Sequence, residues 1–209
     1  MVLDVNIPES VGNLKLPEPE VLNYYEQADR RTIWLDFEVS SSLTEIGKRI
    51  LLWNYEDADH GIEKEKRDPI RLMIFSPGGD EYAMWHLIDT IQASETPIYT
   101  YNMGLAASAG CAIMLAGHKR YALEHSTFMW HSGSGGIEGT MSQVECAASH
   151  FKALEKFSHD YLMAKTKVDV KTYRRQKDKD WYITAQEALE YGFIDGIITS
   201  VADIFGGGR

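Results

Sequence analysis

The most constraining feature of this chain is a helical span held between two β-rich segments. Residues 70–75 and 97–102 read as strands, and residues 84–91 between them set Met84, Leu87, Ile88 and Ile91 at helical spacing. Parallel neighbours cannot be joined by a tight turn, so a strand, helix and strand of these lengths fit a parallel crossover. The expected class is α/β.

Further elements extend the pattern. Residues 32–39 alternate and favour a strand. Ser42 is expected to cap a helix with Glu45 as its capping-box partner, and Leu43, Ile46, Ile50 and Trp53 continue at helical spacing. Residues 56–68 are charged throughout and are expected to form a solvated loop. Helices are expected over 20–29, after Ser108 and over 141–165, with short strands at 121–123 and 127–131. Pro8, Pro17 and Pro19 mark residues 1–20 as a flexible arm, residues 21–203 suit a single domain, and residues 204–209 read as a frayed tail.

Charge and cysteine usage exclude several functions. The 21 basic and 31 acidic residues leave a net charge of −10, which argues against a nucleic-acid groove and against an anionic membrane surface. Cys111 and Cys146 are too few for a disulfide framework or a multi-cysteine zinc site. The N-terminus lacks signal-peptide character. The most apolar window, residues 104–117, falls short of the ~20 residues a membrane span needs. The expectation is a soluble cytoplasmic protein without metal or cofactor.

Two glycine-bearing turns carry the chemistry. Ser76-Pro77-Gly78-Gly79 follows a strand and precedes a helix, and such a turn leaves backbone N–H groups free to face an anion. Gly104-Leu105-Ala106-Ala107-Ser108-Ala109-Gly110 also joins a strand to a helix. Its small residues permit a sharp turn that exposes Ser108, with the Ala109 amide pointing the same way; the physics is that of a nucleophile elbow, although Ala106 replaces its first glycine. A serine needs a base. His131, at a strand end and followed by Ser132-Gly133-Ser134-Gly135-Gly136, is the best placed of seven histidines. Asp180 is the candidate orienting carboxylate, held beside a capping box of Thr184 and Glu187 with Gly192 ending the helix; Asp178 is a close rival. The order Ser, His, Asp disfavours an α/β-hydrolase.

From about Tyr24 to Ile198 the chain resembles the proteolytic subunits of the Clp protease (the ClpP family). The resemblance rests on four blocks in order: the Ser76–Gly79 turn, the Gly104–Gly110 turn, Phe128-Met129-Trp130-His131 with Gly135, Gly136 and Gly139, and residues 180–195. It implies a crotonase-like spiral of β-β-α units with a strand-helix handle at residues 132–165. Ser108 would be nucleophile, His131 base and acid, and Asp180 the orienting carboxylate. Gly79 and Ala109 would form the oxyanion hole, and Gly78, Gly133, Gly135 and Gly136 would lie along substrate. The resemblance further implies peptide or unfolded-protein substrates, a homo-oligomer of stacked heptameric rings and an AAA+ unfoldase ATPase partner. Arg71, Met73 and Ala93 depart from the family's pattern for docking that ATPase, and Asp178-Lys179 replaces the expected Glu-Arg pair. These departures suit divergent or phage-encoded relatives, some of which mature capsids. A crotonase-type acyl-CoA enzyme would share the Gly-Gly turn but gives Ser108, His131 and Asp180 no reason to occur together.

Overall fold

The computed structural model describes residues 18–205. Helix α1 (Pro19–Asp29) opens it, with Pro19 in the first turn where its missing N–H is no loss. Strand β1 (Thr32–Leu35) is shorter than the expected 32–39. Val39 is instead committed to a lone bridge with Gly79, its N–H donating to Gly78 O at 2.7 Å and its carbonyl accepting from Asp80 N at 2.8 Å. Helix α2 (Leu43–Asp59) follows, without the expected capping box. The chain is already turning at Ser42 (φ −61, ψ −19), so its hydroxyl meets Ser40 Oγ at 2.8 Å, and Glu45 pairs with Lys48 at 2.6 Å.

The remaining elements are β2 (Ile70–Ser76), α3 (Glu81–Ala93), β3 (Ile98–Ala107), α4 (Ala109–Met114), β4 (Lys119–Leu123) and β5 (Thr127–Trp130), then α5 (Met141–Lys165), α6 (Val170–Gln176), β6 (Trp181–Thr184), α7 (Ala185–Glu190), β7 (Gly196–Ile198) and α8 (Val201–Phe205). Strands run β1-β2-β3-β4-β7, all parallel, while β5 pairs parallel with β3 and antiparallel with β6. Besides β2, the long β3 thus serves two further partners: Tyr99–Asn102 lie against β4 and Leu105–Ala107 against β5. Asn102, fully buried, secures the changeover; its Nδ2 donates to Thr127 O at 2.9 Å and its carbonyl accepts from Ser126 Oγ at 2.8 Å.

Both faces of the sheet are covered, as parallel strands require. On one face Ile70, Leu72 and Ile74 join Leu87, Ile88 and Ile91 of α3 in the main core. On the other, Met73 packs with Tyr101, Ile198 and Ile204. Arg71 lies buried on this second face, donating to Ile204 O at 3.0 Å and to Arg30 O and Pro69 O at 3.1 Å beneath the Phe205 ring. Ile204 and Phe205 therefore belong to a packed helix and not to a frayed tail. Residues 206–209, and residues 1–17 of the expected arm, lie outside the described residues. Among the described residues no helix is long and apolar enough to cross a membrane. The helical half of the expected handle is α5; residues 131–139 form no strand ladder within this chain.

The charged run 56–68 is not a solvated loop. Its first residues complete α2, Lys64–Lys66 form a 3-10 turn, and Asp57 is buried. Arg31 grips both Asp57 oxygens at 2.7 and 2.5 Å, and Thr96 Oγ1 donates to Asp57 Oδ2 at 2.7 Å. Burial works to raise the Asp57 carboxyl, yet the hydrogen bonds from Arg31 and Thr96 and the Arg31 charge together hold it below the ordinary carboxylate value. This contribution to stability is complete above the unfolded value of ~3.9 and disappears as pH falls through the lowered folded value. Asp57→Ala strands the Arg31 guanidinium, and its expected cost is about 3 kcal/mol in urea unfolding at pH 7. A loss below about 0.5 kcal/mol would show that solvent screens the pair.

Candidate active site

The three ladder-linked strands β3, β5 and β6 bring Ser108, His131 and Asp180 together. In the antiparallel β5–β6 pair, Trp130 faces Trp181, so the next positions outward are His131 and Asp180. In the parallel β3–β5 pair, Ala107 faces Met129, and Ser108 N–H donates to Met129 O at 2.8 Å. Each candidate therefore stands just beyond the end of a strand, where the ladder fixes its neighbour.

Ser108 Oγ lies 2.7 Å from His131 Nε2. Ser108 holds φ +52, one of two positive-φ non-glycine residues among those described, which is the strained turn expected of an exposed nucleophile at a strand-to-helix corner. On its other side the imidazole Nδ1 is 3.7 Å from Asp180 Oδ1, beyond hydrogen-bonding length, and the Asp180 side chain is 60% exposed. Asp178, the rival carboxylate, is paired with Lys177 at 3.7 Å instead. Ser132 Oγ donates to Lys177 O at 2.8 Å, tying the segment after His131 to the turn that carries Asp180.

The Gly78-Gly79 turn sits directly against Ser108. A Cβ on Gly78 would fall 2.7 Å from both Ser108 Cβ and Ala107 O, so only glycine permits this approach. The Val39 bridge takes the Gly78 carbonyl, and a planar trans peptide sends the next N–H the opposite way. Gly79 N–H is thereby turned away from Val39 and left without a ladder partner. Ala109 opens α4, so its N–H has no intrahelical acceptor.

These groups line a cleft of about 750 Å³ that includes Gly79, Ser108, Ala109, His131, Gly133 and Gly135. Gly136 is not in its lining and faces open space. Gly78 lies beneath the nucleophile turn and does not reach the cleft wall. Sequence reasoning passed over Trp85, Tyr161, Phe151 and Glu81, which come from α3 and α5 and also line it. Tyr161 falls at a helical spacing with Leu154 and Phe157 in α5, which in the sequence marks a core-facing side chain and gives no sign of a cleft. Cys111 is fully buried, and burial pushes its thiol far up, which removes it as a nucleophile. Among the described residues no three His, Cys, Asp or Glu side chains gather where one metal ion could bind.

A serine hydroxyl 2.7 Å from an imidazole, beside two backbone N–H groups at the edge of one cleft, is an arrangement able to perform acyl transfer. A model of the Clp protease family matches residues 21–201. The chain belongs to the Clp protease family. Within it, ATP-dependent Clp protease proteolytic subunit 2 of Thermobifida fusca is 36% identical over 182 residues, covering 85% of this chain and 85% of that protein. Subunit 2 of Rhodococcus jostii is 35% identical over 189 residues, 88% of this chain and 93% of the relative. Subunit 1 of Corynebacterium jeikeium is 36% identical over 183 residues, 86% and 93%. As a Clp-family proteolytic subunit, the chain is a serine-type peptidase with the family's α/β fold.

Proposed function

We propose that this protein cleaves extended polypeptides by nucleophilic attack of Ser108 on the peptide carbonyl. The supporting observation is the 2.7 Å contact between Ser108 Oγ and His131 Nε2, in a cleft that the Gly79 and Ala109 backbones also line. With the imidazole proton on Nδ1, Nε2 accepts the Ser108 proton as Oγ bonds to the carbonyl carbon. Gly79 and Ala109 N–H groups meet the oxygen as it becomes negative. The imidazolium then protonates the leaving amine, and the C–N bond breaks to leave an ester on Ser108. Water, deprotonated by His131, attacks that ester and restores the hydroxyl. Asp180 steadies the positive ring through space, which its 3.7 Å separation permits without a direct hydrogen bond.

The substrate backbone runs beside the glycine-rich segment at Gly133 and Gly135, which line the cleft and lie in no strand ladder among the described residues, and continues past Gly136 outside it. Gly78 serves indirectly, by letting its turn close on Ser108. The protein works as stacked heptameric rings enclosing its sites, with residues 132–165 as the handle. Exposed Leu51, Leu52 and Tyr55 on α2, and Met141, Phe151 and Phe157 on α5, supply apolar surface suited to neighbouring copies. The relatives are named ATP-dependent, and an AAA+ unfoldase ATPase is the corresponding partner here. Two free cysteines suit a reducing cytoplasm.

A fluorophosphonate probe tests the chemistry. Labelling at Ser108 is expected in the assembled protein and absent in Ser108→Ala. Because Asp180 is exposed and only loosely engaged, Asp180→Asn should label more slowly and lose on the order of 10²-fold in peptide turnover, less than the loss of a fully engaged triad carboxylate. Absence of labelling in an intact oligomer would instead mark a catalytically silent ring subunit.

A further inference from the structure

The catalytic cleft carries a carboxylate that hydrolysis does not use. Glu81 is the first residue of α3, two positions beyond Gly79, and its half-buried side chain lines the cleft that Ser108 and His131 share. Its Oε1 accepts two long hydrogen bonds, from Trp85 Nε1 and Ser158 Oγ, each at 3.4 Å. Its Oε2 accepts none from the described residues. That oxygen lies 3.9 Å from where a Cβ on Gly133 would be, so it stands between α3 and the glycine-rich segment, two residues from the base.

The wall beside this carboxylate is apolar and rigid. The Trp85 and Tyr161 rings meet edge to face with centroids 5.4 Å apart. Tyr161 OH donates to Ala112 O at 3.1 Å, fixing the ring against the helix that follows the nucleophile. Met84 and Ala112 complete this side of the cleft. Apolar walls with one under-used carboxylate match a long aliphatic stem that ends in a cation. Asp80 also lines the cleft; its Oδ1 accepts from Ala83 N–H at 2.7 Å and caps α3, which adds a second negative charge beside Glu81. From α5 the lining adds Lys152, Glu155 and His159, the last paired with Asp160 at 2.9 Å, so the carboxylates of Asp80, Glu81 and Glu155 outnumber the Lys152 cation.

We propose that Glu81 makes this cleft select lysine or arginine at the substrate residue whose carbonyl is attacked. The assignment rests on the peptidase reading above. The substrate stem lies along Trp85 and Tyr161 while its cation pairs with Glu81 Oε2. A neutral apolar residue fills the same wall but leaves the carboxylate without its partner.

The experiment compares kcat/KM for two fluorogenic peptides that differ only in arginine or leucine at that residue, using the assembled protein. The expected ratio favours arginine by about tenfold, and Glu81→Gln removes that preference. Glu81→Lys should invert it, favouring glutamate over arginine in a third peptide. A ratio that favours leucine, or one unchanged by both variants, overturns the proposal while the turnover itself keeps the peptidase reading intact. Loss of turnover on every peptide, together with loss of fluorophosphonate labelling at Ser108, overturns that reading and the assignment with it.

Discussion

Ser108→Ala is expected to lower peptide hydrolysis by about 10⁶-fold without unfolding the protein. The attacking atom is gone, so what remains is the acceleration that binding and the two amides give to water. The turn itself should survive. Ser108 N–H is held by Met129 O at 2.8 Å, a main-chain bond that alanine keeps, and alanine bears the φ of +52 no worse than serine. His131→Ala should cost a comparable factor, because a hydroxyl 2.7 Å from no base keeps its proton. Residues that act as one unit are not additive, so the double variant should be no slower than either single one. Kinetics on a fluorogenic peptide, alongside thermal melts, measure all three. Independent, multiplying losses would mean that Ser108 and His131 serve different steps.

Gly79→Ala should damage both catalysis and stability. Gly79 holds φ +144, and a Cβ there would stand 2.2 Å from Val39 O and 3.0 Å from Val39 N. The turn cannot absorb that contact without parting from the Val39 bridge, which is what aims the Gly79 N–H away from Val39. A misdirected donor should cost on the order of 10²- to 10³-fold in kcat. KM should change little, because the donor matters most when charge develops on the oxygen. Strained backbone and the broken bridge should together cost about 2 kcal/mol or more in chemical unfolding. A variant with a lowered melting point but normal kcat would remove the Gly79 amide from the oxyanion site.

Much of the site was readable because its chemistry depends on residue types in local context. Glycines at 78 and 79 are needed wherever two turns close on each other, and a serine among small residues suits a sharp corner. The Thr184–Glu187 capping box was legible for the same reason, since both of its hydrogen bonds lie within one turn of helix. The matching expectation at Ser42 failed because the chain is already helical there, which turns the hydroxyl elsewhere. The charged run 56–68 misled for a different reason. Composition cannot show that Asp57 has Arg31, 26 positions earlier, waiting in the core.

Strand β3 runs on through Ala107 and leaves the expected Gly104–Gly110 turn only its corner at Ser108. The amino-acid sequence alone determined the α/β class, the helix boundaries at 141–165, the Ser76–Gly79 turn and the candidates for attack and base. All of these follow from local sterics, periodicity or hydrogen bonding over a few residues. Only the tertiary structure decided that Asp180 and not Asp178 faces His131, that Glu81 enters the cleft, and that Arg71 binds the C-terminal helix. Those outcomes depend on strand register, and shifting a ladder by one residue sends every side chain to the opposite face.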